Sequence, residues 1–425
     1  MAAAVRFREI RDGFQPAFWV ANFTELFERL AYYGPQAVLA IYLHEHLGLT
    51  TQQSTWLIGY YGFVVWFMPL VGGALADRFG FRRTLAGAFV ILAIGNFLLG
   101  SLSAAWMAPV RNALPLFGLM HLLMLVPAMG PAVVKPVVVG TTARAARDNV
   151  RTLGYSIYYT VVNIGAAVGP IVASVVRTSV GVENVFMVSA AVTLAMAVVT
   201  LLFYREPAQE QEHRVTSIAA TFRNLVKVLG DPKFVSFLVI FSGFWVVFWQ
   251  QYISLPIYVR TYVDPNANID RLLAVEAGTV ILCTFAVNYV TRKVPAFLAI
   301  IAGVLISSLS WLILTFGGST PYVVAALIVL ALGEVTQAPR YHEYISRLAP
   351  PGQQGLFMGY AFLPIGIGYL ISGPLAGWLL RYFGEVRQAP QQMWYVVAAA
   401  GIVTTLLLIA YNRLVRPTMA TQGSA

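Results

Sequence analysis

The sequence predicts an all-α integral membrane protein, with twelve transmembrane helices arranged as two pseudo-symmetric six-helix bundles. Three observations carry that expectation. Of the 425 residues, 58% are apolar and only 11% are charged, and the mean hydropathy is +0.71. A soluble protein of this length needs far more polar surface. Apolar stretches long enough to cross a bilayer recur twelve times, separated by short polar loops. Finally, the basic residues alternate sides. With the amino terminus inside, 19 of the 28 Lys and Arg residues fall in cytoplasmic segments, six in outer loops and three inside spans. That asymmetry places both termini in the cytoplasm.

In chain order, the spans are expected near 18–43, 55–76, 84–104, 114–139, 152–177, 185–204, 234–261, 272–291, 294–316, 322–346, 355–381 and 393–412. Arg6, Arg8 and Arg11 precede a first span that is too long and too charged for a cleavable signal, so the first helix is expected to be retained. The loops are short except for 205–233, which separates residues 1–204 from 234–425. Within that linker Val215, Ile218, Ala219, Phe222, Leu225, Val226 and Leu229 follow a helical apolar stripe, with Arg214, Arg223 and Lys227 off it. This reads as an amphipathic helix on the inner membrane surface. Basic residues after the second span (Arg78, Arg82, Arg83) and after the eighth (Arg292, Lys293) form a faint repeat. Paired six-span halves are a secondary-transporter arrangement.

The net charge of +10 is spread over short loops and forms no basic domain, which argues against a nucleic-acid partner. Cys283 stands alone in a span, so neither a disulfide framework nor a thiol metal site is expected. No Walker loop is present, and no cofactor is implied. The expected partners are the bilayer, protons and a small-molecule or short-peptide substrate, with the protein a monomer.

Against this apolar background the first span carries Glu25, Glu28 and Arg29. Each charge inside a span costs on the order of 2.5–3.5 kcal/mol, so such residues are kept where they meet partners or water. At about 100° per residue Glu25, Arg29, Tyr32 and Gln36 share one face, and Glu25 precedes Arg29 by one turn, the favourable order for an ion pair. Lys135 in the fourth span falls at a similar depth in the cytoplasmic half. An ammonium there can pair with Glu25 or Glu28, and protonating a carboxylate would break the pair. Alternatively, Lys135 reaches to the interface and the acids pair with Arg29 alone. In the tenth span Glu334 shares a face with Gln337 and Tyr341, whereas Arg340, Glu343 and Arg347 are spaced as a salt-bridge ladder. Glu276 lies a turn inside the outer boundary, as either a site residue or an interfacial one. Asn163 faces a cavity or bonds a neighbouring helix. His44 and His46 flank Glu45 in an outer loop.

Two strings name a family. Gly72-Gly73-Ala74-Leu75-Ala76-Asp77-Arg78-Phe79-Gly80-Phe81-Arg82-Arg83 resembles the loop pattern of the major facilitator superfamily, departing at Phe81. The resemblance implies a cytoplasmic gating loop, with Gly73, Asp77, Arg78, Gly80 and Arg82 its members. Glu25-Leu26-Phe27-Glu28-Arg29-Leu30-Ala31-Tyr32-Tyr33-Gly34 resembles the first-span signature of the proton-dependent oligopeptide transporters (the POT/PTR family). Lys135-Pro136, the run Tyr155 to Pro170, Gly333-Glu334 with Pro339, and Met358-Gly359 are similar to further segments of that family. The resemblance implies a proton-coupling role for Glu25, Glu28, Arg29 and Lys135. Substrate binding is expected of Tyr32, Tyr33, Gln36, Asn163, Trp249, Gln250, Glu276 and Glu334. The chain departs from the family where an arginine is usual (Gln36), where a span-seven acid is usual (Trp249), at Trp66 and at Ala361, while Glu276 stands near a usual asparagine. A Gln donates a hydrogen bond but lacks bidentate charge pairing with a carboxylate.

The expected function is proton-coupled secondary active transport of a small organic solute, a di- or tripeptide or peptide-like molecule, by symport and alternating access in the inner membrane. Two rival readings are a proton-driven exporter of amphipathic compounds, and a non-transporting membrane receptor or membrane-embedded enzyme. Against an enzyme, no nucleophile–base pair or metal cluster is visible in the spans.

Overall fold

The computed structural model describes residues 13–69, 78–147, 150–207, 230–348 and 360–415. The linker stripe at 215–229, the loop residues Gly73 and Asp77, and Met358-Gly359 lie outside the described residues. Twelve long helices run through the rest. They are α1 (Pro16–Ile41), α2 (Thr51–Phe67), α3 (Phe81–Gly100), α4 (Leu116–Ala145), α5 (Arg151–Val180) and α6 (Glu183–Phe203), followed by α7 (Pro232–Phe248), α8 (Ile269–Thr291), α9 (Ala296–Ser310), α10 (Thr320–Leu348), α11 (Leu363–Leu379) and α12 (Met393–Leu414). Among the described residues nine helices are long and apolar enough to cross a membrane; α1, with its charges, is not one of the nine. In hydrocarbon every backbone polar group must be satisfied within its own segment, which is why the apolar stretches all become helices.

The described residues group into two compact units. One holds residues 13–36, 67–69, 78–147 and 150–207, the other 37–66, 230–348 and 360–415. Thus the last turn of α1 and nearly all of α2 cluster with the carboxy-terminal helices rather than with their sequence neighbours.

In the first unit, Phe14, Phe18, Phe81, Leu85, Phe89, Val134, Val137, Val138 and Tyr204 form a buried core that joins the start of α1 to α3, α4 and α6. The chain ahead of α1 is pinned to the end of α4 by a two-residue bridge, in which Gln15 N donates to Ala145 O (2.8 Å) and Arg147 N to Gly13 O (3.0 Å). The turn into α3 uses Gly80 at φ +82°, a conformation that costs a residue without Cβ little. Glu206, just past α6, accepts from the Arg82 amide (2.8 Å) and so places a carboxylate at the amino end of α3, where the helix dipole favours it. Arg82 also donates to the Leu201 carbonyl, and Arg144 lies 4.2 Å over the Phe81 ring.

In the second unit the seventh predicted span is one apolar stretch, Pro232–Ile253 being long enough to cross a membrane, but its helix α7 is interrupted. It stops at Phe248, resumes over Gln250–Ile253 and Leu255–Tyr258, and ends in a π-helical turn at Val259–Val263. Pro256 lacks an amide and crowds the carbonyl four residues earlier, which accounts for the second interruption. α2 meets α11 through glycines: a Cβ on Gly59 would stand 2.7 Å from the Tyr369 carbonyl oxygen, and one on Gly373 2.5 Å from that of Thr55. Small residues at such a crossing let two backbones touch. Past α1, Glu45 in the turn Tyr42–His46 forms a fork-to-fork pair with Arg260 (3.0 and 2.9 Å), a partnership that sequence spacing does not reveal. On α10, Arg340 and Arg347 both bond Glu343 (2.9 and 2.6 Å), and Arg340 also caps the end of α8 at the Thr291 carbonyl (2.9 Å).

The glycine crossing yields a stability prediction. Gly59→Leu overpacks the α2–α11 contact, with an expected cost of about 1–3 kcal/mol, whereas Gly87→Ala, which meets nothing within 4 Å, is neutral. Thermal unfolding in detergent checks both: a lowered midpoint for the first variant and an unchanged one for the second.

Candidate functional site

The charges of α1 come together as one buried cluster. Arg29 reaches Glu25, one turn earlier, at 3.4 Å through Nε, and contacts the adjacent Glu28 through Nε and Nη2. All three side chains are wholly buried. Consecutive helix residues do not face each other, so periodicity alone pairs Arg29 with Glu25 and not with Glu28. A guanidinium is planar, with five donors on a long stem, and with no water available it turns to serve both carboxylates. Lys135 of α4, half-buried, acts electrostatically on Glu25. Two carboxylates, one guanidinium and one ammonium carry no net charge together, which offsets the cost of holding three wholly buried ions beside a half-buried fourth.

The aromatic neighbours close over this cluster. The Arg29 guanidinium lies 5.0 Å from the Tyr32 ring centroid and 6.0 Å from that of Tyr33, a geometry that uses the negative ring faces. Tyr158 of α5 also acts on Arg29 and Glu25. It belongs to the run that resembles the transporter family, yet nothing in its local pattern marks it as a neighbour of α1. Glycines of α5 make the approach possible. A Cβ on Gly165 would stand 2.3 Å from the Arg29 Cβ, and one on Gly169 3.1 Å from the Gly34 amide nitrogen. Gln36, one turn beyond Tyr32, is buried. Asn163 does not bridge helices: its amide donates back to the Tyr159 carbonyl (2.8 Å) on α5 itself.

The other residues singled out lie in the second unit. Trp249 occupies the first break in α7 and stacks on Tyr369 of α11 at 3.9 Å, with Trp245 at 5.5 Å and Trp66 of α2 at 6.5 Å. Close packing of these rings uses Gly62, where a Cβ would stand 2.2 Å from the Tyr369 ring. Gln250 is buried and consumed by its own helix, donating to the Val246 carbonyl (3.1 Å) and accepting from the Ser254 hydroxyl (2.7 Å). It braces the break in α7. Its neighbour Gln251 is equally buried, and neither amide atom has a hydrogen-bond partner among the described residues. Sequence inspection passes over Gln251 because nothing distinguishes two adjacent glutamines until the helix phase is known. The Tyr341 hydroxyl donates to the Ala361 carbonyl (2.9 Å). Glu276 of α8 is buried and hydrogen-bonded to Glu334 of α10. Of the loop residues, Arg78, Gly80 and Arg82 are described, and Gly80 and Arg82 meet Glu206. No group of His, Cys, Asp and Glu able to hold a metal occurs among the described residues.

Known proteins resemble the chain over most of its length. The family model described as Major Facilitator Superfamily matches residues 22–287 and 272–425. Multidrug resistance protein MdtH of Aeromonas hydrophila subsp. hydrophila is 25% identical over 343 residues, covering 80% of this chain and 82% of that protein. MdtH of Salmonella typhimurium is 22% identical over 354 residues, 83% of each. Among solved structures, a POT family transporter in complex with 5-aminolevulinic acid superposes with a TM-score of 0.75 at 20% identity, covering 93% of this chain and 95% of the other. Peptide transporter POT in complex with sulfate gives 0.74 at 19% identity, with 93% and 94% covered. The structures share this fold.

The neutral sum of the α1 cluster predicts how it fails. Arg29→Ala strands two buried carboxylates and is expected to cost about 3–5 kcal/mol. Adding Glu28→Gln to it removes one stranded charge and recovers part of the loss. Unfolding midpoints of the single and double variants in detergent test the order; a double variant less stable than the single one contradicts the charge-balance account.

Proposed function

The chain belongs to the Major Facilitator Superfamily, and from that premise we propose that this multi-pass transporter moves a small organic solute by alternating access, coupled to protons through the α1 cluster. One observation carries the proposal: Glu25, Glu28 and Arg29 are wholly buried together, with Lys135 in electrostatic reach. In a low dielectric the four charges hold one another only while they balance. A proton arriving on either carboxyl leaves one positive charge in excess and weakens the hold of α4 on α1. A proton can thereby shift the balance between two conformations, which requires only that the two states differ in their interaction with it. The basic-residue asymmetry supports an inner-membrane protein with both termini cytoplasmic. The six-helix halves 1–204 and 234–425, joined by 205–233, are the proposed moving parts, and the protein works as a monomer without enzymatic chemistry.

The cargo has two readings. Likeness to structures of POT family transporters, and the first-span motif, support a peptide-like solute taken up with protons. Gln36 and the rings packed around Trp249 support the second reading, export of amphipathic compounds, as do relatives described as multidrug resistance proteins. A carboxylate-bearing peptide is held best by a paired cation, and Gln36 supplies none. A buried aromatic surface instead suits an apolar body.

Proteoliposomes under an inward proton gradient, offered dipeptides, tripeptides and amphipathic drugs, test both readings. Gradient-driven accumulation of a dipeptide supports the first, and gradient-stimulated extrusion of a drug the second. In either case Glu28→Gln is expected to lower gradient-driven flux at least tenfold while sparing counterflow, which needs no net proton movement. Full gradient-driven flux in that variant would falsify the coupling role of the cluster.

A further inference from the structure

A second pair of acids lies far along the chain from the α1 cluster. Glu276 on α8 is only 4% exposed, and its carboxyl is hydrogen-bonded to that of Glu334 on α10. Two ionised carboxylates cannot make such a bond, because neither has a hydrogen to donate. A hydrogen bond between the two carboxyls requires a proton on one of them. Among the described residues each acid interacts with the other, and no cation is seen to act on either. The surrounding elements bear this out. α9 (Ala296–Ser310) has no titratable residue. On α10, Arg340 is committed to Glu343 and the Thr291 carbonyl, Arg347 to Glu343, and the Tyr341 hydroxyl to Ala361. On α8, Asp270 acts on Arg260, and Arg271 is exposed. Tyr322, His342 and Tyr344 of α10 and Cys283 and Tyr289 of α8 are the remaining titratable residues of the two helices.

A further observation points the same way. Gln337 is 1% exposed, and neither atom of its amide has a hydrogen-bond partner among the described residues. It follows Glu334 by three positions, about 60° round the same helix face, the spacing at which helix side chains are neighbours. Glu276 Oε1 is likewise buried without a partner. An unpaired buried amide and an unpaired carboxyl oxygen are costly, unless the proton and its charge move and the amide answers the change by donating or accepting. The polar atoms needed for a site that is filled and emptied are thus already buried around the pair.

We propose that Glu276 and Glu334 form a second proton-binding site, which holds one exchangeable proton between the two carboxyls. Its place in transport rests on the proton-coupled reading above; its existence does not. When the site is filled, the pair is a carboxylic acid donating to a carboxylate. When it is emptied, the proton leaves to water and two carboxylates remain, repelling each other across the α8–α10 contact.

Infrared titration of the full-length protein in lipid nanodiscs tests this directly. The wild-type spectrum minus that of Glu276→Gln/Glu334→Gln isolates the pair. At neutral pH it is expected to show one protonated carboxyl band and one carboxylate band, with the carboxyl band lost reversibly as the pH is raised. Either two carboxylates or two carboxylic acids at neutral pH would overturn the proposal, as would a carboxyl band that no pH removes. Glu276→Gln guards against misfolding of the double variant. Its amide can donate to an ionised Glu334 in place of the proton, so the carboxyl band of the pair should vanish while the fold persists. A band that remains in this variant counts against the shared proton. Glu28→Gln separates the two ideas, because it should keep the band of the pair whether or not it abolishes coupled flux.

Discussion

Four ionisable side chains with no net charge are the constraint on which the first unit depends. Burying an ion is expensive, and the cost is offset only when an opposite charge and hydrogen bonds meet it at close range. Glu25, Glu28 and Arg29 lie within two turns of one helix, so α1 brings three of the four ions together before any tertiary contact forms. The fourth, Lys135, comes from α4. The cluster is therefore incomplete until α1 and α4 are side by side.

The glycines follow from the same requirement. Arg29 can turn inward to both carboxylates only if the neighbouring helix leaves room at its stem, and Gly165 leaves it. Gly169 and Gly34 bring the two backbones together a turn further on. A similar economy appears in the second unit, where Gly59, Gly62 and Gly373 let α2 lie against α11 and let Tyr369 meet Trp249. Without a hydrophobic drive between helices in lipid, close backbone approach and interhelical bonds are the available sources of specificity.

The acids of the α1 cluster and the Glu276–Glu334 pair are handled differently. In the first, cations balance the carboxylates. In the second, Glu276 and Glu334 are paired with each other, and the surface around Trp249 is aromatic. The broken course of α7 contributes to that surface. Trp249 sits at the first break, and Gln250, which could have offered an amide to a ligand, spends both ends of it holding the broken helix together. A glutamine in a span is thus no guide to a binding site until its helix is known to be continuous.

Hydropathy and charge asymmetry along the chain determined the membrane class, the twelve helices and the first-span cluster, because a bilayer admits few backbone solutions and i, i+4 neighbours are local. The salt-bridge ladder of Arg340, Glu343 and Arg347 was legible for the same reason. Only the tertiary structure decided that Glu276 meets Glu334, that Glu45 meets Arg260, that Tyr158 borders Arg29, and that α2 clusters with the carboxy-terminal helices. Each of these joins residues remote in sequence, and in each the deciding quantity is the rotation and closeness of two helices. Helix periodicity says which residues share a face, but not which helix that face will meet.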